Sequence, residues 1–164
     1  MTQQAVIIER SYRATAQELW ELWTTKDGFE SWWGPEGFHV EVRAIEPRVG
    51  GKLDYDMIAD GAEQIAWLKK EGMPTSHGTH GTFAVVEPFT QLRLTHIIDF
   101  IPGVKSYQHN IGVEFVPQGS EVRMIVRIDP HLDELWTQRA VEGFTDQLTK
   151  LPGALERRRG ARAR

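Results

Sequence analysis

The chain has no cysteine among its 164 residues, which removes thiol catalysis, thiolate metal sites and any disulfide framework. A cysteine-free chain suits a reducing compartment, and the cytoplasm is the expected location. Long hydrophobic runs are missing too, since no stretch approaches the roughly 18 apolar residues that a membrane span needs. The opening segment Met1-Thr2-Gln3-Gln4-Ala5-Val6-Ile7-Ile8-Glu9-Arg10 has no basic start leading into a sustained apolar run. Neither a signal peptide nor membrane insertion is therefore expected. Nor is there an excess of positive charge: 19 Lys and Arg stand against 23 Asp and Glu, for a net charge of −4. With both signs interspersed, such a surface repels nucleic acid weakly, and no nucleic-acid partner is expected. The one basic run is Arg157-Arg158-Arg159-Gly160-Ala161-Arg162-Ala163-Arg164, at the end of a segment 154–164 expected to be a disordered tail. No glycine-rich phosphate loop and no Gly-x-Ser-x-Gly motif occurs. His77-Gly78-Thr79-His80 reads as a polar loop rather than a metal centre, having no carboxylate cluster beside it. No cofactor and no metal are expected.

What is present reads as one domain over 1–153, large enough to bury roughly two thirds of its unfolded surface without staples. Val6 and Ile8 share a face of a first strand ending near Tyr12. Thr15-Ala16-Gln17-Glu18 has the spacing of a capping box, and Leu19, Leu22 and Trp23 follow at helical period. Lys26-Asp27-Gly28 interrupts that helix, and Phe29 to Trp33 forms a second short one ending at Gly34-Pro35. From Phe38 the period falls to two: Phe38, Val40, Val42 and Ala44 alternate with polar residues, and Leu53, Tyr55 and Met57 repeat the pattern after Gly50-Gly51. Residues 60–78 form an inserted flap with a short helix, its Ile65, Trp67 and Leu68 docked on the body. Strands resume at Thr82 to Val86, Leu92 to Phe100, Ser106 to Val116 and Val122 to Ile128, joined by short turns that imply antiparallel neighbours. Asp129-Pro130 then starts a long helix over Leu132 to Leu151, stopped by Pro152-Gly153. The fold class is α+β: a curved antiparallel sheet gripping a long C-terminal helix, with two short helices after the first strand.

Several pieces in this layout resemble the START/Bet v 1-like (SRPBCC) superfamily, and within it the Hsp90-ATPase-activator-homologue-like branch. They are Leu19-Trp20-Glu21-Leu22-Trp23-Thr24, Trp32-Trp33-Gly34-Pro35-Glu36-Gly37-Phe38, Arg48-Val49-Gly50-Gly51, Glu87-Pro88 and Gly143-Phe144-Thr145-Asp146-Gln147-Leu148. The resemblance covers about residues 5–152. It departs from the family pattern at 60–78, where the branch has a shorter turn, and at Phe144, where it has tryptophan. The resemblance implies a helix-grip fold with a cavity between the sheet and the last helix, used in the superfamily for apolar small molecules.

Alternation then assigns the faces. Burying Leu92, Leu94, Ile98 and Phe100 carries His96 inward, and burying Ile111, Val113 and Phe115 carries Tyr107 and His109 with them. Tyr55, Met57 and Met124 also face inward, and Trp136 and Phe144 lie on the apolar stripe of the last helix. Of Trp32 and Trp33, one enters the core and one stands at the cavity wall, Trp33 being the one counted with the binding set. The candidate ligand-binding set is His96, Tyr107, His109, Tyr55, Met57, Trp33, Met124, Trp136 and Phe144. His96 and His109 have three readings: structural groups bonded to each other, to a tyrosine or to water; orienters of a ligand's polar group; or general acid–base catalysts. The expected function is binding of a hydrophobic or amphipathic small molecule. An enzyme of the cyclase/aromatase or hydrolase kind is one alternative. A module that docks on a chaperone or regulator through Ile65, Trp67 and Leu68 is another, and the same segment could form a homodimer.

Overall fold

A computed structural model of the chain describes residues 4–99, 101 and 103–162. Within them, seven strands build one antiparallel sheet: β1 (Val6–Tyr12), β2 (Phe38–Ile45), β3 (Lys52–Ala59), β4 (Ser76–Glu87), β5 (Gln91–Ile98), β6 (Tyr107–Gln118) and β7 (Glu121–Ile128). Their spatial order is β1-β7-β6-β5-β4-β3-β2, so every link after β2 joins neighbours. Only the link from β1 to β2 crosses from one edge to the other, and it carries the two short helices α1 (Ala16–Thr24) and α2 (Lys26–Glu30). The helix α3 (Ala62–Lys70) lies between β3 and β4, and α4 (Glu134–Leu148) and α5 (Leu151–Arg162) follow the sheet. Register shifts at Val42/Ala44 in β2 and Phe83/Val85 in β4 mark bulges, which bend and twist a sheet. The fold is the expected α+β helix grip.

The predicted capping box is present. Thr15 Oγ1 accepts from the Glu18 amide at 3.0 Å, and Glu18 Oε1 accepts from the Thr15 amide at 2.9 Å. The break after α1 falls at Thr25, not within Lys26-Asp27-Gly28. Thr25 ends α1 and then caps α2, its hydroxyl accepting from the Gly28 amide at 3.1 Å, so α2 starts three residues before the expected Phe29.

Three other expectations change. The strand predicted over Thr82 to Val86 runs from Ser76 to Glu87, so His77-Gly78-Thr79-His80 is strand rather than loop. Pairing with β3 holds it, placing His77 opposite Met57 and Thr79 opposite Tyr55. The long C-terminal helix is capped by Asp133, whose Oδ1 accepts from the Trp136 amide at 2.9 Å, and not by Asp129. Asp129 is still held by the sheet, its amide donating to the Asn110 carbonyl at 3.1 Å. That helix ends at Leu148, and Pro152 stands in the first turn of α5, where a missing N–H leaves no bond unmade. Phe100 and Pro102 lie outside the described residues.

The segment expected to be a disordered tail is α5 as far as Arg162, with Ala163 and Arg164 outside the described residues. Leu151, Ala154 and Leu155 bury a short apolar stripe in the core. The arginines beyond it meet acids of α1 and α2: Arg158 reaches Asp27 at 2.7 Å and Glu21 at 3.3 Å, and Arg159 reaches Glu18 at 2.6 Å. The Arg159 hydrogen bonds are the main reason that the Glu18 carboxyl titrates at about 2. A carboxylate with a depressed pKa stabilises the fold above its ordinary value and loses that contribution as pH falls toward 2. Arg159→Ala should cost about 1 kcal/mol at pH 7, the scale of a partly exposed pair. Urea unfolding reads the loss, and carbon NMR should show Glu18 titrating nearer its ordinary range. An unmoved Glu18 titration would mean that Arg159 does not hold it.

Candidate functional site

The inner face of the sheet leaves a cavity of about 200 Å³ under α4. Strand periodicity supplies its floor, since Tyr55 and Met57 of β3, Thr79 of β4, His96 and Ile98 of β5, and His109 and Ile111 of β6 are alternate residues on one face. Cross-strand pairing sets His96 directly opposite His109. Ala140 and Phe144 of α4 form the roof, and Trp33 closes the end nearest α2. A second cavity of about 210 Å³, lined by Tyr107, Trp136 and Arg139, shares Ile98, His131 and Ala140 with the first.

Trp33 is held by its neighbours. Its ring stacks on Phe29 at 4.5 Å and meets the Phe144 ring edge-on at 5.6 Å. The turn that follows puts Gly34 and Gly37 at φ of +100° and +88°, a region in which side chains with a Cβ are strained. The end of α4 and the link after it clasp this turn: the Gly34 amide donates to Gln147 Oε1 at 2.9 Å, the Glu36 amide to Asp146 Oδ2 at 2.6 Å, and Lys150 Nζ to the Phe38 carbonyl at 2.9 Å.

The polar groups fall into two units. In the first, Trp33 Nε1 can only donate, so it donates to Tyr55 Oη at 3.1 Å, and Tyr55 Oη lies 3.0 Å from His96 Nε2. In the second, the His109 and His131 rings stack with centroids 3.7 Å apart and planes at 11°. His109 Nε2 lies 2.6 Å from the Asp129 carbonyl oxygen, which accepts only, so Nε2 carries the hydrogen. Tyr107 Oη lies 2.6 Å from His131 Nδ1. His131 is set in place by the first turn of α4, its amide donating to Thr137 Oγ1 at 2.8 Å. His96 and His109 thus have separate partners rather than bonding each other.

Burial dominates the titration of these groups. It lowers His96 to about 4, with the neighbouring His109 and His131 acting in the same direction. It lowers His131 to about 4, again with His109 contributing. Burial also lowers His109 and His77, opposed at His109 by the Asp129 carbonyl and at His77 by Asp99 and Asp56. Burial raises the Tyr55 phenol. Near pH 7 the cavity wall is therefore uncharged. Among the described residues no Asp, Glu, Lys or Arg lines the main cavity, and no group of three His, Cys, Asp or Glu could hold a metal ion. A larger surface groove, about 470 Å³, has in its wall Arg159 paired with Glu18 at 2.6 Å and donating to the Arg13 backbone carbonyl.

The family model for Activator of Hsp90 ATPase homolog 1-like protein matches residues 13–156. The chain belongs to that family. Among solved structures, a protein from Arthrobacter aurescens matches with a TM-score of 0.75 at 20% identity, covering 94% of this chain and 87% of that one. The AHSA1 protein from Silicibacter pomeroyi matches at 0.73 and 20% identity, covering 93% and 97%. A protein from Nitrosomonas europaea matches at 0.73 and 17%, covering 96% and 97%. At these identities the likeness carries the fold alone. No curated protein matches the chain.

In this Hsp90-ATPase-activator-homologue-like domain, the main cavity brings together six of the residues singled out from sequence: Trp33, Tyr55, Met57, His96, His109 and Phe144. Tyr107 and Trp136 stand in the second cavity. Met124 is fully buried in the core and lines neither cavity. Trp32 is likewise core, its Nε1 donating to the Leu22 carbonyl at 2.8 Å. Sequence reasoning missed His131, His77 and Thr79. His77 and Thr79 share the parity of the buried Phe83, a signal interrupted by Gly78 and Gly81. His131 had no such signal, because it stands in an irregular link between sheet and helix.

Proposed function

We propose that the protein binds a hydrophobic or amphipathic small molecule in the cavity between the sheet and α4. One observation carries this reading: an otherwise apolar cavity has imidazoles in its wall, and His96, His109 and His131 each commit one ring nitrogen to the protein. Apolar walls with a few placed polar groups are the usual make-up of a small-molecule site. An engineered cavity of about 150 Å³ holds benzene, so about 200 Å³ suits one substituted ring or two fused rings.

Acid–base catalysis is less favoured, because a histidine lowered to about 4 is a weak base near neutrality. The docking-module reading loses surface, since Leu68 is buried and of the expected patch only Trp67 is well exposed, at 57%. Naphthalene fluorescence should respond saturably to the protein. Ala140→Phe, which adds bulk to the walls of both cavities, should weaken that binding at least tenfold. A response that does not saturate, or that survives Ala140→Phe unchanged, would overturn the reading.

A further inference from the structure

The hydrogen-bond inventory of the stacked histidines restricts the ligand further, given the binding reading above. His109 is the fixed point. Its Nε2 faces a carbonyl oxygen at 2.6 Å and must carry the hydrogen, so in the neutral ring Nδ1 is a bare acceptor. Among the described residues nothing donates to His109 Nδ1. His131, stacked on it at 3.7 Å, has its Nδ1 engaged by Tyr107 Oη, which leaves Nε2 without a protein partner there. The Tyr107 hydroxyl can donate or accept, so the hydrogen shared across that bond sets whether His131 Nε2 donates or accepts. The wall thus presents one obligate acceptor beside one adaptable group, with no formal charge among the described lining residues.

We propose that the natural ligand is an uncharged ring bearing a hydrogen-bond donor, foremost a phenolic hydroxyl, which donates to His109 Nδ1 and meets His131 Nε2 with its oxygen. A hydrocarbon or an ether leaves the acceptor unmet, and a polar group desolvated without a partner is penalised. A carboxylate has no hydrogen to give, and would add a charge to a wall without a compensating cation. Arg139 lies in the second cavity, its guanidinium carbon 5.2 Å from the Trp136 ring centroid. The ring of the ligand packs against the corner that Trp33 and Phe144 form where they meet edge-on at 5.6 Å in the cavity lining.

Titration with p-cresol, 4-methylanisole and 4-methylbenzoate, followed by calorimetry at pH 7, separates these chemistries at nearly constant shape. The expected result is p-cresol at least tenfold tighter than 4-methylanisole, with 4-methylbenzoate weakest. His109→Phe should remove the difference between cresol and anisole. Nitrogen NMR of the histidine rings provides a second readout that needs no variant, because p-cresol should shift His109 Nδ1 as a hydrogen-bonded acceptor. Equal affinities for cresol and anisole, or an unmoved Nδ1 resonance, would overturn this proposal while leaving the cavity reading intact. Tighter 4-methylbenzoate would overturn it in favour of an anionic ligand. Absence of binding by all three compounds would sink the cavity reading as well.

Discussion

Trp33→Ala is expected to lower the free energy of unfolding by about 3–5 kcal/mol, the range for truncating a buried large aromatic. Trp33 is only 4% exposed, and its ring touches those of Trp23, Phe29, Trp32, His96 and Phe144. Its removal deletes those contacts and also the donor to Tyr55 Oη. The space left behind opens into the existing cavity, so the surroundings cannot easily collapse onto it. Against a typical total of about 5–15 kcal/mol, such a loss is a large fraction. Urea denaturation followed by far-ultraviolet circular dichroism reads it. Trp33→Phe, which keeps most of the ring packing and loses the N–H, should cost markedly less. Equal losses in the two variants would mean that the indole N–H, rather than packing, holds this corner.

Acid is expected to weaken the fold well above the range in which carboxylates titrate. His96 has a folded pKa of about 4, below the ordinary value of about 6.5 in an unfolded chain. Between those values the unfolded state binds the proton and the folded state does not, so stability rises with pH. The contribution is complete above about 6.5 and is lost as pH falls toward 4. Burial is the main cause, and His96 alone accounts for about 3 kcal/mol over that window. His131, also lowered to about 4, and His109, lowered by burial, add in the same direction. Denaturation midpoints at pH 7, 5.5 and 4.5 should therefore fall steadily, and His96→Gln should flatten the profile. Identical profiles for the two proteins would show that His96 is not held neutral by the fold.

These histidines also divide what was readable in the chain from what was not. Strand faces could be assigned because the side-chain period in a strand is two, and a wrong parity would bury every polar residue of a strand and expose every apolar one. That constraint put His96, His109 and Tyr55 on the inner face without any structure. The capping box at Thr15 and Glu18 was equally readable, being a contact between residues three apart. So were the seven strands and the antiparallel pairing of those that short turns join.

Contacts between distant segments were not readable. Composition marked 154–164 as a basic tail, yet α5 is held by Leu151, Ala154 and Leu155 in the core and by acids that lie more than 130 residues earlier. Nothing local to the arginines announces those partners. The clasp of Asp146, Gln147 and Lys150 on the Gly34-to-Phe38 turn also joins segments more than 100 residues apart. His131 shows the limit most clearly: it sits in a link with no period of its own, so only the meeting of β6 with the start of α4 could stack it on His109. The sequence determined the fold class, the strand faces and, among the cavity's polar groups, Tyr55, His96 and His109, because these follow from periodicity and local bonding. The tertiary structure alone decided how those groups pair, which nitrogens remain open and what covers the basic helix, because pairing depends on distances that a linear pattern does not contain.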